Sequence, residues 1–136
     1  MKLDDVDWHI ESQPNEAQAS IHIALVYCWL VGRGYIELEK DEWNDWPTIF
    51  ASKKYSPSDF FLKYADGKLI TDDINRPEIS DFLKKWYQET YLASGLLPGL
   101  QRDEKIDAPY NLLNSWDNVQ KAGELFDAAL KGYAKQ

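Results

Sequence analysis

The sequence predicts a mainly α-helical fold. We expect a single globular domain over residues 1–136, a compact bundle of about four to five helices around a central apolar helix at residues 18–32, with room for a short β element. Three observations lead there. Ile21 to Val31 reads Ile-His-Ile-Ala-Leu-Val-Tyr-Cys-Trp-Leu-Val, where only His22 is frankly polar; a helix apolar on all sides belongs inside a protein. Pro57 and Pro77 each sit one residue after a polar residue and ahead of apolar positions at helical spacing. Trp116, Val119, Gly123, Phe126, Leu130 and Tyr133 recur every three or four residues.

In chain order, Met1 to Glu16 is acidic, with one Lys against five acids and Trp8-His9-Ile10 in the middle. Pro14-Asn15 breaks the chain, and Asn15 or Ser20 supplies a cap for the central helix. That helix is too short for a bilayer and ends at Gly32 and Gly34. Tyr35 to Glu39 fits either a short strand or an irregular connection, and Asp41 to Phe50 is a weak helix start interrupted at Pro47. Between Glu37 and Trp46 there is again one Lys against five acids.

Ser56-Pro57-Ser58-Asp59 starts a helix that runs to Ala65 and stops at Asp66-Gly67. Asn75 caps the next, whose apolar face holds Ile79, Phe82, Leu83, Trp86, Thr90 and Tyr91, with Gly95 as its end. Pro98 to Tyr110 reads as a loop, and Ser115 caps the last helix. The face of that helix is expected to dock on the core, the alternative being a dimer seam. Trp29, Trp86 and Trp116 fall on apolar faces, whereas Trp43 and Trp46 lie among acids, where aromatics serve equally as core or as interface anchors.

The totals narrow the function classes. A chain of 136 residues buries roughly two-thirds of its unfolded surface in one core. With Cys28 alone no internal disulfide forms, and a buried structural thiol in a reducing compartment is the expectation. The opening residues lack a signal-peptide pattern and nothing reaches membrane length, which points to the cytoplasm. A net charge of −8 opposes nucleic acid and anionic lipid and favours a protein partner basic at its contact surface. A monomer or weak homodimer is expected.

No phosphate-binding glycine loop, G-x-S-x-G, H-E-x-x-H or paired C-x-x-C occurs. No cofactor, metal or catalytic residue is therefore assigned. With only His9 and His22, a metal site would need a carboxylate from Asp4, Asp5 or Asp7. The candidate polar cluster is Asp5, His9 and His22, read first as a buried hydrogen-bonded network. A small His/Asp-dependent or metal-dependent enzyme built on those residues is the alternative function; a non-toxin adaptor or scaffold is another.

Several stretches together resemble a family of small bacterial proteins catalogued as a domain of unknown function. Its members open with Tyr-Asp-Asp-x-x-Trp-His, continue into a helix reading His-Ile-x-x-x-x-x-Trp, and carry an Asp-Gly-Lys-Leu turn and a Thr-Trp-x-Asn helix start. The matching positions are Asp4, Asp5, Trp8 and His9; His22, Ile23 and Trp29; Asp66 to Leu69; and Ser115, Trp116 and Asn118. Leu3 replaces the tyrosine, and Ile10 to Pro14 lacks the family's glycine-rich turn. The resemblance implies polymorphic-toxin and type VI secretion neighbourhoods, hence an immunity protein that binds a cognate toxin and occludes its active site. The partner-binding stretch expected on charge and aromatic content is Glu37, Glu39, Asp41, Glu42, Trp43, Asp45 and Trp46.

Overall fold

The computed structural model describes residues 1–38, 45–93 and 97–134. Within them lie helices α1 (Glu16–Gly32), α2 (Trp46–Ser52), α3 (Pro57–Ala65), α4 (Pro77–Trp86) and α5 (Trp116–Ala134), with short strands β1 (Lys2–Asp5) and β2 (Lys68–Ile70). The helical fold and the central position of the apolar segment are as the sequence predicts.

Every residue of α1 from Ala19 to Val31 is buried. Asn15 starts the helix: its side chain accepts the Gln18 N–H at 3.0 Å. Helix α3 covers one side of α1 and α5 another. On α5 the buried positions include Ala122, Gly123 and Phe126. The small residue permits the close approach, since a Cβ on Gly123 would stand 3.4 Å from Trp29 Cδ1. Phe126 meets Trp29 edge-on at 5.5 Å, which docks the middle of α5 on the core, while Trp116, Val119, Leu130 and Tyr133 on the same face are half-buried.

Ser56 caps α3 by accepting the Asp59 N–H at 3.2 Å, and Asp66 ends it in the left-handed conformation. At α4 the capping expectation fails. Arg76 occupies the cap position without a side-chain bond, and Asn75 Nδ2 instead donates to the Gly34 carbonyl at 2.9 Å. Asn75 thereby ties the end of α1 to the start of α4, a tertiary bond that displaces the local one. Beyond Trp86 the helix widens into a π-turn over Tyr87–Leu92, whose buried residues are Tyr87 and Tyr91. The expected stop at Gly95 lies outside the described residues.

The β element sits where periodicity did not place it. β1 and β2 are antiparallel, pairing Lys2 with Ile70, Asp4 with Leu69 and Asp5 with Lys68, with an irregularity between Lys2 and Asp4. A bulge of this kind breaks the alternation of faces, and Leu3, Asp4 and Asp5 are all buried in succession. The turn is locked from below by Gly67: Val6 N–H donates to its carbonyl at 2.9 Å. Its φ is +71° and a Cβ there would lie 2.6 Å from Val6 Cγ1. Around Ile36 there is only an isolated bridge to Ile74.

Candidate functional site

Two regions hold the residues singled out by sequence. The first is a closed polar cluster where β1 and its following turn meet α1. The bulge turns Asp4 inward, the short 3-10 turn Val6–Trp8 carries the chain round to His9, and α1 presents His22. His9 Nε2 lies 2.7 Å from Asp4 Oδ1, and His22 Nε2 lies 3.4 Å from Asp4 Oδ2. The two imidazoles pack edge to face, with centroids 4.6 Å apart.

Three tyrosines close the cluster. Tyr87 Oη donates to Asp4 Oδ2 at 2.7 Å, Tyr91 Oη donates to the His22 carbonyl at 2.6 Å, and Tyr110 Oη sits 2.9 Å from His9 Nδ1. The π-turn supplies Tyr87 and Tyr91. Tyr110 is held by Gln18 on α1, whose Nε2 donates to the Tyr110 carbonyl and to that of Leu112 at 2.9 Å.

The structure corrects the composition of the cluster. It brings His9 and His22 together, but the carboxylate between them is Asp4. Asp5 is occupied elsewhere: Oδ2 accepts from Lys2 Nζ at 2.8 Å, and Oδ1 caps the turn through the Asp7 N–H at 3.0 Å. The bulge is the physical reason, because it gives Asp4 the inward position that plain alternation would deny it beside Leu3. Tyr87, Tyr91 and Tyr110 were missed. Tyr91 lay on the recognised apolar face and Tyr87 is one helical turn before it; no local signal marks Tyr110.

Electrostatics follow from burial. Asp4 and His22 are each 1% exposed. Burial alone would raise the Asp4 carboxyl, but contacts from His22, His9 and Tyr87 outweigh it and hold the group well below the usual carboxylate range. Burial pushes the His22 imidazole down against the pull of Asp4. The 3.4 Å approach to Asp4 is an electrostatic contact without hydrogen-bond alignment, so both ring nitrogens of His22 are buried without a hydrogen-bond partner. An orphaned buried polar atom costs about 1–3 kcal/mol. The crevice that His22 lines with Tyr91, Leu97 and Leu112 has a volume of about 10 Å³, enough for a single water and no substrate.

The second region is the acidic stretch. Glu37 and Asp45 are exposed. Trp46 is half-buried, its indole N–H donating to the Leu38 carbonyl at 2.8 Å. Glu39, Asp41, Glu42 and Trp43 lie outside the described residues. Trp46 opens α2, and one turn further Phe50 and Ala51 line a shallow groove of about 410 Å³ between α1, α2 and α5. Trp29, Trp116, Val119 and Gly123 form much of its floor, with Arg33, Lys53 and Glu124 at its edge. This groove is apolar with a charged rim. Trp8, on the other acidic stretch, is 55% exposed, with Lys2 Nζ 5.2 Å from its ring centre.

Cys28 is buried, and burial pushes its thiol up, as a structural cysteine requires. Among the described residues no helix is long and apolar enough to cross a membrane. A family model described as a domain of unknown function (DUF7832) matches residues 2–95. The chain belongs to this family. The DUF7832 match runs from β1 through the π-turn and takes in Asp4, His9, His22, Tyr87 and Tyr91; Tyr110 and α5 lie beyond it. Comparison with curated proteins and with solved structures gave no match.

Proposed function

We propose that the chain is a non-enzymatic immunity protein that acts in the bacterial cytoplasm, binding a cognate toxin and covering its substrate site. The observation that carries this reading is the second region: exposed Asp45 precedes α2, exposed Glu37 adjoins Leu38, whose carbonyl holds the Trp46 indole, and Phe50 and Ala51 of α2 line an open apolar groove. An apolar, aromatic floor with a charged rim is the composition of a protein interface. The net charge of −8 would attract a basic partner and hasten encounter with it. The binding stretch in this reading is Glu37, Glu39, Asp41, Glu42, Trp43, Asp45 and Trp46, continued by the groove beside α2. The resemblance to toxin-neighbourhood proteins supports the same class.

An enzyme built on His9 and His22 finds less support. Asp4 and His22 are sealed, and the adjoining crevice admits about one water. The test is coexpression of this chain with the protein encoded immediately upstream, scored by growth and by co-purification. Rescue with a stable complex that weakens as salt rises is the expected result. Rescue without a complex would contradict neutralisation by binding, and absence of both would remove that neighbour as the partner.

A further inference from the structure

Asp4, His9 and His22 each present one donor atom, and the three lie within 4.8 Å of one another. We propose that they form a structural site for one divalent transition-metal ion, Zn2+ being the best match, which clasps the N-terminal turn to α1. Two imidazoles and a carboxylate are a recurrent donor set for Zn2+ and its first-row neighbours.

The geometry is close to what the ion requires. Bonds of about 2.1 Å place tetrahedral donor atoms about 3.4 Å apart. The His22 Nε2 to Asp4 Oδ2 separation is already 3.4 Å. The His9 Nε2 to Asp4 Oδ1 distance of 2.7 Å must open by about 0.7 Å. His9 is the member able to yield, since it sits on a turn and retains 17% side-chain exposure. Asp4 would supply one oxygen and each imidazole one nitrogen, giving the ion three protein donors and leaving a fourth position for a water.

One further observation points to a cation. His22 is sealed from water, yet neither of its nitrogens has a hydrogen-bond partner; a metal would take the lone pair of the one facing Asp4. The outer hydroxyls are also disposed as those around metal ligands are. A metal taking His9 Nε2 would replace its 2.7 Å contact with Asp4 Oδ1, and Tyr110 Oη, 2.9 Å from Nδ1, would then accept the Nδ1–H and hold the ring. Tyr87 holds the carboxylate from the other side. Two of the three ligands, Asp4 and His22, are buried, which suits a clasp, and the toxin-binding reading is independent of it.

The test is equilibrium dialysis of the full chain against micromolar free Zn2+ with metal quantified by mass spectrometry, repeated with Co2+ for its visible ligand-field bands. The expected result is one ion per chain, four-coordinate Co2+ bands, and a melting temperature that falls on chelation. His9→Gln, which spares the fully buried members, should stay folded by near-ultraviolet circular dichroism and weaken Zn2+ binding by more than about tenfold. Tyr110→Phe, which keeps all three ligands, should weaken it less. Absence of retained ion in the wild type overturns the proposal, as does equal affinity in His9→Gln.

Discussion

The acidic stretches at Met1–Glu16 and Glu37–Trp46 have the same charge count, one Lys against five acids, and each carries tryptophan. The fold uses them in opposite ways. In the first, a bulge turns Asp4 into the protein, where His9, His22 and Tyr87 surround it. In the second, Glu37 and Asp45 stay in water. Acid content therefore says little about role. What decides is whether buried donors converge on the carboxylate, because a charge without them must remain solvated.

That contrast predicts very unequal mutational costs. Asp4→Ala should be the most damaging, leaving Tyr87 Oη and His9 Nε2 without their hydrogen-bond partner and His22 without its neighbouring charge, at about 3–5 kcal/mol by chemical denaturation. Asp45→Ala, removing an exposed carboxylate, should change stability by less than about 0.5 kcal/mol. Similar costs for the two would break the comparison. Gly67→Ala probes the platform that aims β1. It forces a left-handed backbone on alanine and drives a Cβ against Val6, and should cost about 2 kcal/mol. Tyr87→Phe keeps the ring and deletes one hydrogen bond to a carboxylate, for about 1.5 kcal/mol.

A smaller effect lies between the extremes. Asp127 is half-exposed but satisfied: its carboxylate accepts from Arg33 Nη2 at 2.7 Å and from the Trp29 indole at 2.8 Å. The Arg33 guanidinium holds its carboxyl below the usual range. A depressed folded-state value means that the unfolded chain binds the proton first. The stabilisation is therefore present above about pH 3.9 and lost as pH falls through the folded value. Asp127→Asn should lower the neutral plateau slightly and leave stability at the acid end little changed, which flattens the acid limb, as checked by urea unfolding across pH.

Much of the frame was legible. The unbroken apolar run of α1, the Ser56-Pro57 start and the spacing of Trp116, Gly123 and Phe126 state their structure in local pattern. The cluster was half legible. His22 on an apolar helix and His9 in an acidic segment announced a polar core contact, but choosing Asp4 over Asp5 needed a bulge set by pairing with β2, far along the chain. Tyr110 joins through Gln18, ninety-two positions away, a distance no local period can reveal. Asn75 failed as a cap for the same reason: its amide serves Gly34.

The most direct measurement reverses three charges of the second acidic stretch, Glu39→Lys, Asp41→Lys and Glu42→Lys, in one variant, and follows both its unfolding and its protection of cells expressing the cognate toxin. The account predicts stability within about 0.5 kcal/mol of wild type together with lost protection and a complex that no longer survives purification. Full protection with unchanged affinity and salt dependence would contradict the assignment of these acids to partner binding.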